Sequence, residues 1–186
     1  MKNHHNAQAE AAFVGTVIAH PKAQVGVGLR NTYKFECFDK DGNLKWTEEV
    51  PNIVVNVGLD DLLDKYLKGS SYTAAFFVGL KNTGSPVAGD TMASHGSWTE
   101  NVTYSEGTRE ALTLGTVSGQ SVDNSASKAS FSINGTTTIF GAFVTDNDTK
   151  SGATGLLYGV ADFGASRAVE NGDTLNVTVT LTAASA

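Results

Sequence analysis

A single cysteine, Cys37, stands in a chain of 186 residues. That excludes an intramolecular disulfide framework and any cysteine-rich zinc or iron–sulfur site, each of which needs several sulfur ligands at close spacing. Positive charge is also scarce, with 13 Lys and Arg against 19 Asp and Glu and a formal charge of −6. The basic residues are dispersed, no two adjacent, and residues 93–186 hold only Arg109, Lys128, Lys150 and Arg167 against nine acids. A phosphate-binding groove for nucleic acid therefore has no candidate residues. Long apolar runs are missing as well. The longest near the start, residues 11–19, is about half of what a membrane-spanning helix requires. It ends at His20-Pro21 without a small-residue cleavage pattern, so neither a membrane span nor a secretory signal is expected. The Asn-x-Thr triplets at Asn101, Asn134, Asn147 and Asn176 are what a Thr-rich β chain makes by chance.

The usual catalytic and ligand-binding patterns are missing too. No G-x-S-x-G elbow occurs, and the nearest string, Gly164-Ala165-Ser166-Arg167-Ala168, lacks the second glycine. His4 and His5 are neighbours near the start while His20 and His95 stand alone, so no pair has metal-ligand spacing. Asp146-Asn147-Asp148-Thr149-Lys150-Ser151-Gly152 begins like a calcium loop, but Lys150 takes the third ligand position, the glycine comes one place late and Leu157 replaces the bidentate acid. A polar turn is the better reading. Val25-Gly26-Val27-Gly28 carries only the first two glycines of a dinucleotide fingerprint and leads into a strand. Cys37 shares a strand face with Tyr33 and Phe35, which predicts a buried, inert thiol. No catalytic residue, metal site or cofactor is expected.

What is present is β pattern, with 40% hydrophobic residues to supply a core. Tyr33, Phe35 and Cys37 alternate with Lys34, Glu36 and Phe38, the turn formers Asp39-Lys40-Asp41-Gly42-Asn43 follow, and Leu44-Lys45-Trp46-Thr47-Glu48 returns, so a hairpin is predicted. Pro51 is expected to stop the ladder. Further strands are placed near 74–80, 111–116, 128–133, 137–144, 155–162 and 174–182; the last alternates Leu175, Val177, Val179 and Leu181 with polar residues. One helix is predicted over 57–68, capped by Asn56 and closed by Gly69. Its stripe of Leu59, Leu62, Leu63, Tyr66 and Leu67 is expected to dock on a sheet. Eight or so strands and one helix argue for a mainly β domain, an antiparallel β-sandwich of jelly-roll or immunoglobulin-like type spanning 31–186.

Residues 1–30 differ in composition and are read as an extended N-terminal arm. Its segment Phe13-Val14-Gly15-Thr16-Val17-Ile18 has β-formers that would pair or pack, either against a neighbouring subunit or as a first strand of the domain itself. The arm residues Phe13, Val14, Val17 and Ile18 are the candidate partner-binding set. A second cluster, Trp98, Glu100, Tyr104 and Arg109, has two readings. Trp, Tyr and Arg dominate interface energetics, yet the favoured reading is structural: Trp98 and Tyr104 anchor a long loop while Arg109 pairs with Glu100 or Glu106.

The strings Phe35-Glu36-Cys37-Phe38-Asp39-Lys40-Asp41-Gly42-Asn43-Leu44-Lys45-Trp46 and Pro51-Asn52-Ile53-Val54-Val55-Asn56-Val57-Gly58-Leu59-Asp60-Asp61-Leu62-Leu63-Asp64-Lys65-Tyr66-Leu67-Lys68-Gly69 resemble a family of tailed-bacteriophage virion structural proteins. The resemblance continues through Phe77-Val78-Gly79-Leu80, Asp90-Thr91-Met92-Ala93-Ser94-His95, Trp98-Thr99-Glu100 and Tyr104-Ser105 to Arg109, and leaves the arm outside. It implies a non-enzymatic virion building block, made in the host cytoplasm. Size, β content and acidic balance suit a capsid decoration or cement protein on the capsid exterior. Its partners would be the major capsid protein and copies of itself, as trimer or dimer, with no nucleic acid and no membrane. The alternatives are a tail, neck or fibre component, with glycan or host binding if Trp98 and Tyr104 are exposed, or a hydrolase with two carboxylates facing each other across a groove.

Overall fold

The computed structural model describes residues 27–72 and 75–185. Alternating β-formers build β1 (Val27–Phe38), and the turn at 39–43 returns the chain into β2 (Leu44–Val54). The Asp39 carboxylate accepts the backbone N–H groups of Asp41 and Asn43 at 2.9 and 2.8 Å, and Gly42 takes the positive φ of +84° that the turn requires. On its other side β1 pairs along its full length with β10 (Thr174–Ser185), from Val27 opposite Ser185 to Phe38 opposite Thr174. Residues 27–30, read above with the arm, are thus the start of β1, held by ladder bonds that do not depend on side-chain alternation. The arm residues Phe13, Val14, Val17 and Ile18 lie outside the described residues.

The remaining strands are β3 (Phe77–Lys81), β4 (Glu100–Asn101), β5 (Glu110–Ala111), β6 (Ser121–Asp123), β7 (Ala129–Ser132), β8 (Thr137–Thr145) and β9 (Leu157–Val169). All pair antiparallel in one ten-stranded sheet of order β4-β3-β8-β9-β2-β1-β10-β6, with β5 on β3 and β7 on β10. Among the described residues the protein is mainly β, and the sheet curls into a half-barrel with one short helix. Its two edges are strapped together by the chain around β5. Leu112 N–H bonds to Phe76 O and Gly115 N–H to Asp123 O, both at 2.8 Å, one on each edge. This division explains why the strand expected at 111–116 is only two residues long: its backbone pairs with β3 at Glu110 and Ala111 and then crosses to the other edge.

Pro51 does not end β2. Thr32 opposite Pro51 is the last pair with β1, and Asn52 opposite Ala161 is the first with β9, so the proline sits where the strand changes neighbour. β2 thereby joins two half-sheets around one core of Tyr33, Phe35, Cys37, Phe131, Ile139, Phe163, Leu175, Val177 and Val179, all buried. Phe35 meets Phe163 edge-to-face at 4.5 Å between centroids.

The helix departs most from expectation. α1 (Asn56–Leu62) begins after Val55, with no side-chain cap from Asn56, and widens into a π-helical turn (Leu63–Leu67) in which Lys68 N–H reaches back to Leu63 O at 3.0 Å. Its leucine stripe does not dock. Leu59 and Leu62 are about 40% exposed, Leu63 54%, Leu67 71% and Tyr66 81%. The helix is fastened instead by its first turn. Val55 and Val57 join a smaller core with Met92, Trp98, Phe143, Leu157 and Val160, and Gly58 lies so close to β9 that a Cβ would stand 2.5 Å from the Tyr158 carbonyl. With Leu63 54% exposed in solvent, Leu63→Asp is expected to change unfolding free energy by less than about 1 kcal/mol, as for ordinary surface positions. A urea midpoint that falls far below the wild-type value would place the stripe in the core after all.

Candidate functional site

The structure brings Trp98, Glu100, Tyr104 and Arg109 together and buries them. Trp98, Tyr104 and Arg109 are 1–2% exposed, and the Glu100 side chain 7%. The Arg109 guanidinium grips Glu100 with both ends, Nε to Oε1 at 3.0 Å and Nη2 to Oε2 at 2.8 Å. It also donates to the carbonyls of Asn147 and Gly152 at 2.8 and 3.0 Å, and it lies 5.1 Å from the Phe143 ring centre. Trp98 donates Nε1–H to Asp90 at 2.9 Å and stacks on His95 at 4.1 Å between centroids. Tyr104 packs its ring edge-to-face on Phe131, and the Lys150 ammonium sits 3.8 Å from the Tyr104 ring centre while donating to the Tyr104 and Glu106 carbonyls. Burial, with the Glu100 charge nearby, pushes the Tyr104 phenol well above its ordinary range. Of the two acids open to Arg109, the fold selects Glu100. Glu106 instead accepts the Ser132 N–H across the gap between sheet edges.

This arrangement makes an anchor for the loop between β3 and β5. The aromatics that a glycan site would present face inward, stacked on protein. The calcium-like loop is closed by the same set. Asp146 Oδ1 accepts the Leu156 N–H at 2.6 Å, Asn147 Oδ1 accepts the Thr149 N–H at 2.8 Å, and the cation on the loop carbonyls is the guanidinium of Arg109. Among the described residues, no three His, Cys, Asp or Glu side chains are grouped to hold a metal ion.

Cys37 is fully buried, its Sγ 3.7 Å from Asp173, whose carboxylate is held by Lys45 at 2.7 Å and by the Glu170 N–H at 2.8 Å. Burial first, and then the Asp173 charge, push the thiol up to about 12. Against an exposed thiol near 8.5, that leaves on the order of a thousandfold less thiolate at pH 8. Native protein is therefore expected to react with a thiol reagent at pH 8 at least a hundredfold more slowly than urea-unfolded protein. Comparable rates in the two states would contradict the buried placement.

The feature that sequence reasoning missed lies beside the helix. A groove of about 670 Å³ runs between the π-helical turn and the strap, lined by Leu62, Tyr66, Phe76, Leu112, Leu114 and Leu181 among others, and its surface is mainly apolar. Tyr72, 53% exposed, stands at the same groove. The signal was in the sequence as the leucine stripe. Amphipathic spacing marks an apolar face, whereas only the tertiary fold decides whether that face is covered.

No family model and no curated protein matches this chain. Function rests on the two regions just described, one closed on itself and one open. The closed region engages its charged groups with one another, Arg109 with Glu100 and, across β8, Lys81 with Asp162 at 2.5 Å. The open region offers apolar surface beyond scattered single residues, and contiguous exposed apolar patches mark interaction sites.

Proposed function

We propose that the chain is a structural protein of a tailed-bacteriophage virion, a capsid decoration protein that binds the outer surface of the major capsid lattice and stabilises it. One observation carries this reading: the exposed apolar face of Leu62, Leu63, Tyr66 and Leu67, borne on a helix whose first turn is fastened to the sheet. A firmly seated apolar face suits a protein-binding role. The resemblance of the strings from Thr32 onward to virion structural proteins supplies the biological setting. In layer terms, the two half-sheets joined by β2 are read as a β-sandwich of jelly-roll or immunoglobulin-like type. In the assembled shell the arm residues Phe13, Val14, Val17 and Ile18 reach a neighbouring subunit as an added strand. Each contact is modest, and symmetry multiplies many such contacts into a stable lattice.

The test is to mix purified protein with undecorated phage capsids, pellet them and measure copies per capsid. Saturation at hundreds of copies is expected, and Leu67→Asp, at an exposed position, is expected to weaken binding at least tenfold while the protein stays folded. A dozen copies or fewer, or no binding, would overturn the decoration reading and favour a tail or neck position.

A further inference from the structure

The apolar groove needs an occupant, and the chain supplies one. β1 begins at Val27, and four residues along, Asn31 stands opposite Leu181, which lines the groove. That distance is about 13 Å of strand. Asn31 is 3% exposed, and among the described residues neither atom of its side-chain amide has a hydrogen-bond partner. The hydroxyl of Tyr158, another groove residue, stands next to this amide. A buried amide left open in this way costs about 1–3 kcal/mol unless something bonds to it. Asn31 is not itself part of the groove lining, and an extended peptide laid beside the adjoining start of β1 would offer its amide both an N–H and a C=O.

Ahead of Val27 the sequence runs Phe13-Val14-Gly15-Thr16-Val17-Ile18, within a stretch, 11–19, that has no charge. These residues match the groove in chemistry and have β-forming side chains. Residues 19–26 link the two, and eight residues extend up to about 27 Å, roughly twice the distance back to Asn31. Tethered so closely, the segment is present at an effective concentration in the millimolar range, which favours its own groove over that of another copy at micromolar protein.

We infer that in the unassembled subunit this groove is the seat of the same chain's segment 13–18, laid beside the start of β1. Docking of this kind needs no capsid, so its test is separate from the pelleting test. Because Cys37 is buried, introduced cysteines can be cross-linked cleanly in the full-length chain. Val17→Cys with Tyr66→Cys places one thiol in the segment and one on the groove, at a position 81% exposed. The control pair, Val17→Cys with Leu44→Cys, uses a site 56% exposed at the far end of β1. Under mild oxidation at micromolar protein, the groove pair is expected to close within one chain at least tenfold faster than the control. Amides 13–18 are expected to exchange at least tenfold more slowly than in the Leu114→Asp variant, whose substitution lies in the groove wall. Equal cross-linking rates for the two pairs, a disulfide that joins two chains, or exchange unaffected by Leu114→Asp would each overturn the inference.

Discussion

Arg109→Ala is expected to lower unfolding free energy by about 3–5 kcal/mol, the range for breaking a buried ion pair by removing one partner. Most of that loss comes from what stays behind. Glu100 keeps a carboxylate whose side chain is only 7% exposed, with the Ser151 N–H at 2.7 Å as its remaining donor, and the Asn147 and Gly152 carbonyls lose their guanidinium. Arg109→Lys should rescue little, since one ammonium cannot span both carboxylate oxygens and two carbonyls. The combination Arg109→Met with Glu100→Leu should recover a large part of the loss, because removing both charges leaves none buried and unpaired. Urea unfolding of the four proteins checks this. A single-variant loss below about 1 kcal/mol would mean that the pair behaves as a surface ion pair and that the loop is anchored elsewhere.

Gly141→Ala is expected to cost roughly 3 kcal/mol or more, combining backbone strain with forced displacement of neighbours. Gly141 lies in β8 at a register shift, with φ +150°, and a Cβ there would stand 2.0 Å from the Ala161 carbonyl of β9. The same residue sits opposite Lys81 on one side and Asp162 on the other. The fully buried Lys81 side chain crosses the bare glycine to reach Asp162 at 2.5 Å, so a methyl group at this point also crowds an ion pair. Gly164→Ala is the control: it lies in β9, no atom comes within 4 Å of its would-be Cβ, and its stability should change little. Equal melting temperatures for Gly141→Ala and wild type would remove the glycine from any structural role.

Much of this was legible in the sequence because it depends on local pattern. Alternation located β1, the first half of β2 and β10, turn chemistry located 39–43, and the face shared by Tyr33, Phe35 and Cys37 placed the thiol in the core. The polar-aromatic cluster was legible as a set of residue types, and the fold buries all four members together. Its wiring was not. Whether Arg109 met Glu100 or Glu106 depended on the path of a loop that also brings in Asn147 and Gly152, some forty residues away in sequence. The same holds for Pro51, whose missing N–H matters only relative to the neighbour on each side, and β2 changes neighbour there. The helix was recognised but its orientation was not, because a stripe of leucines has the same spacing whether it faces a sheet or water. Gly58 decided the matter by giving the first turn the closest approach to β9.

One consequence of the β1–β10 pairing concerns direction. Val27 and Ser185 are partners in the ladder, so the polypeptide enters and leaves the described body side by side, while the 39–43 turn lies at the far end of the same strand. A fluorescent protein or epitope attached through either flank would crowd the end of β1 nearest the groove. The same cargo inserted between Asp41 and Gly42 would project the opposite way, leaving the helix face and the groove unobstructed.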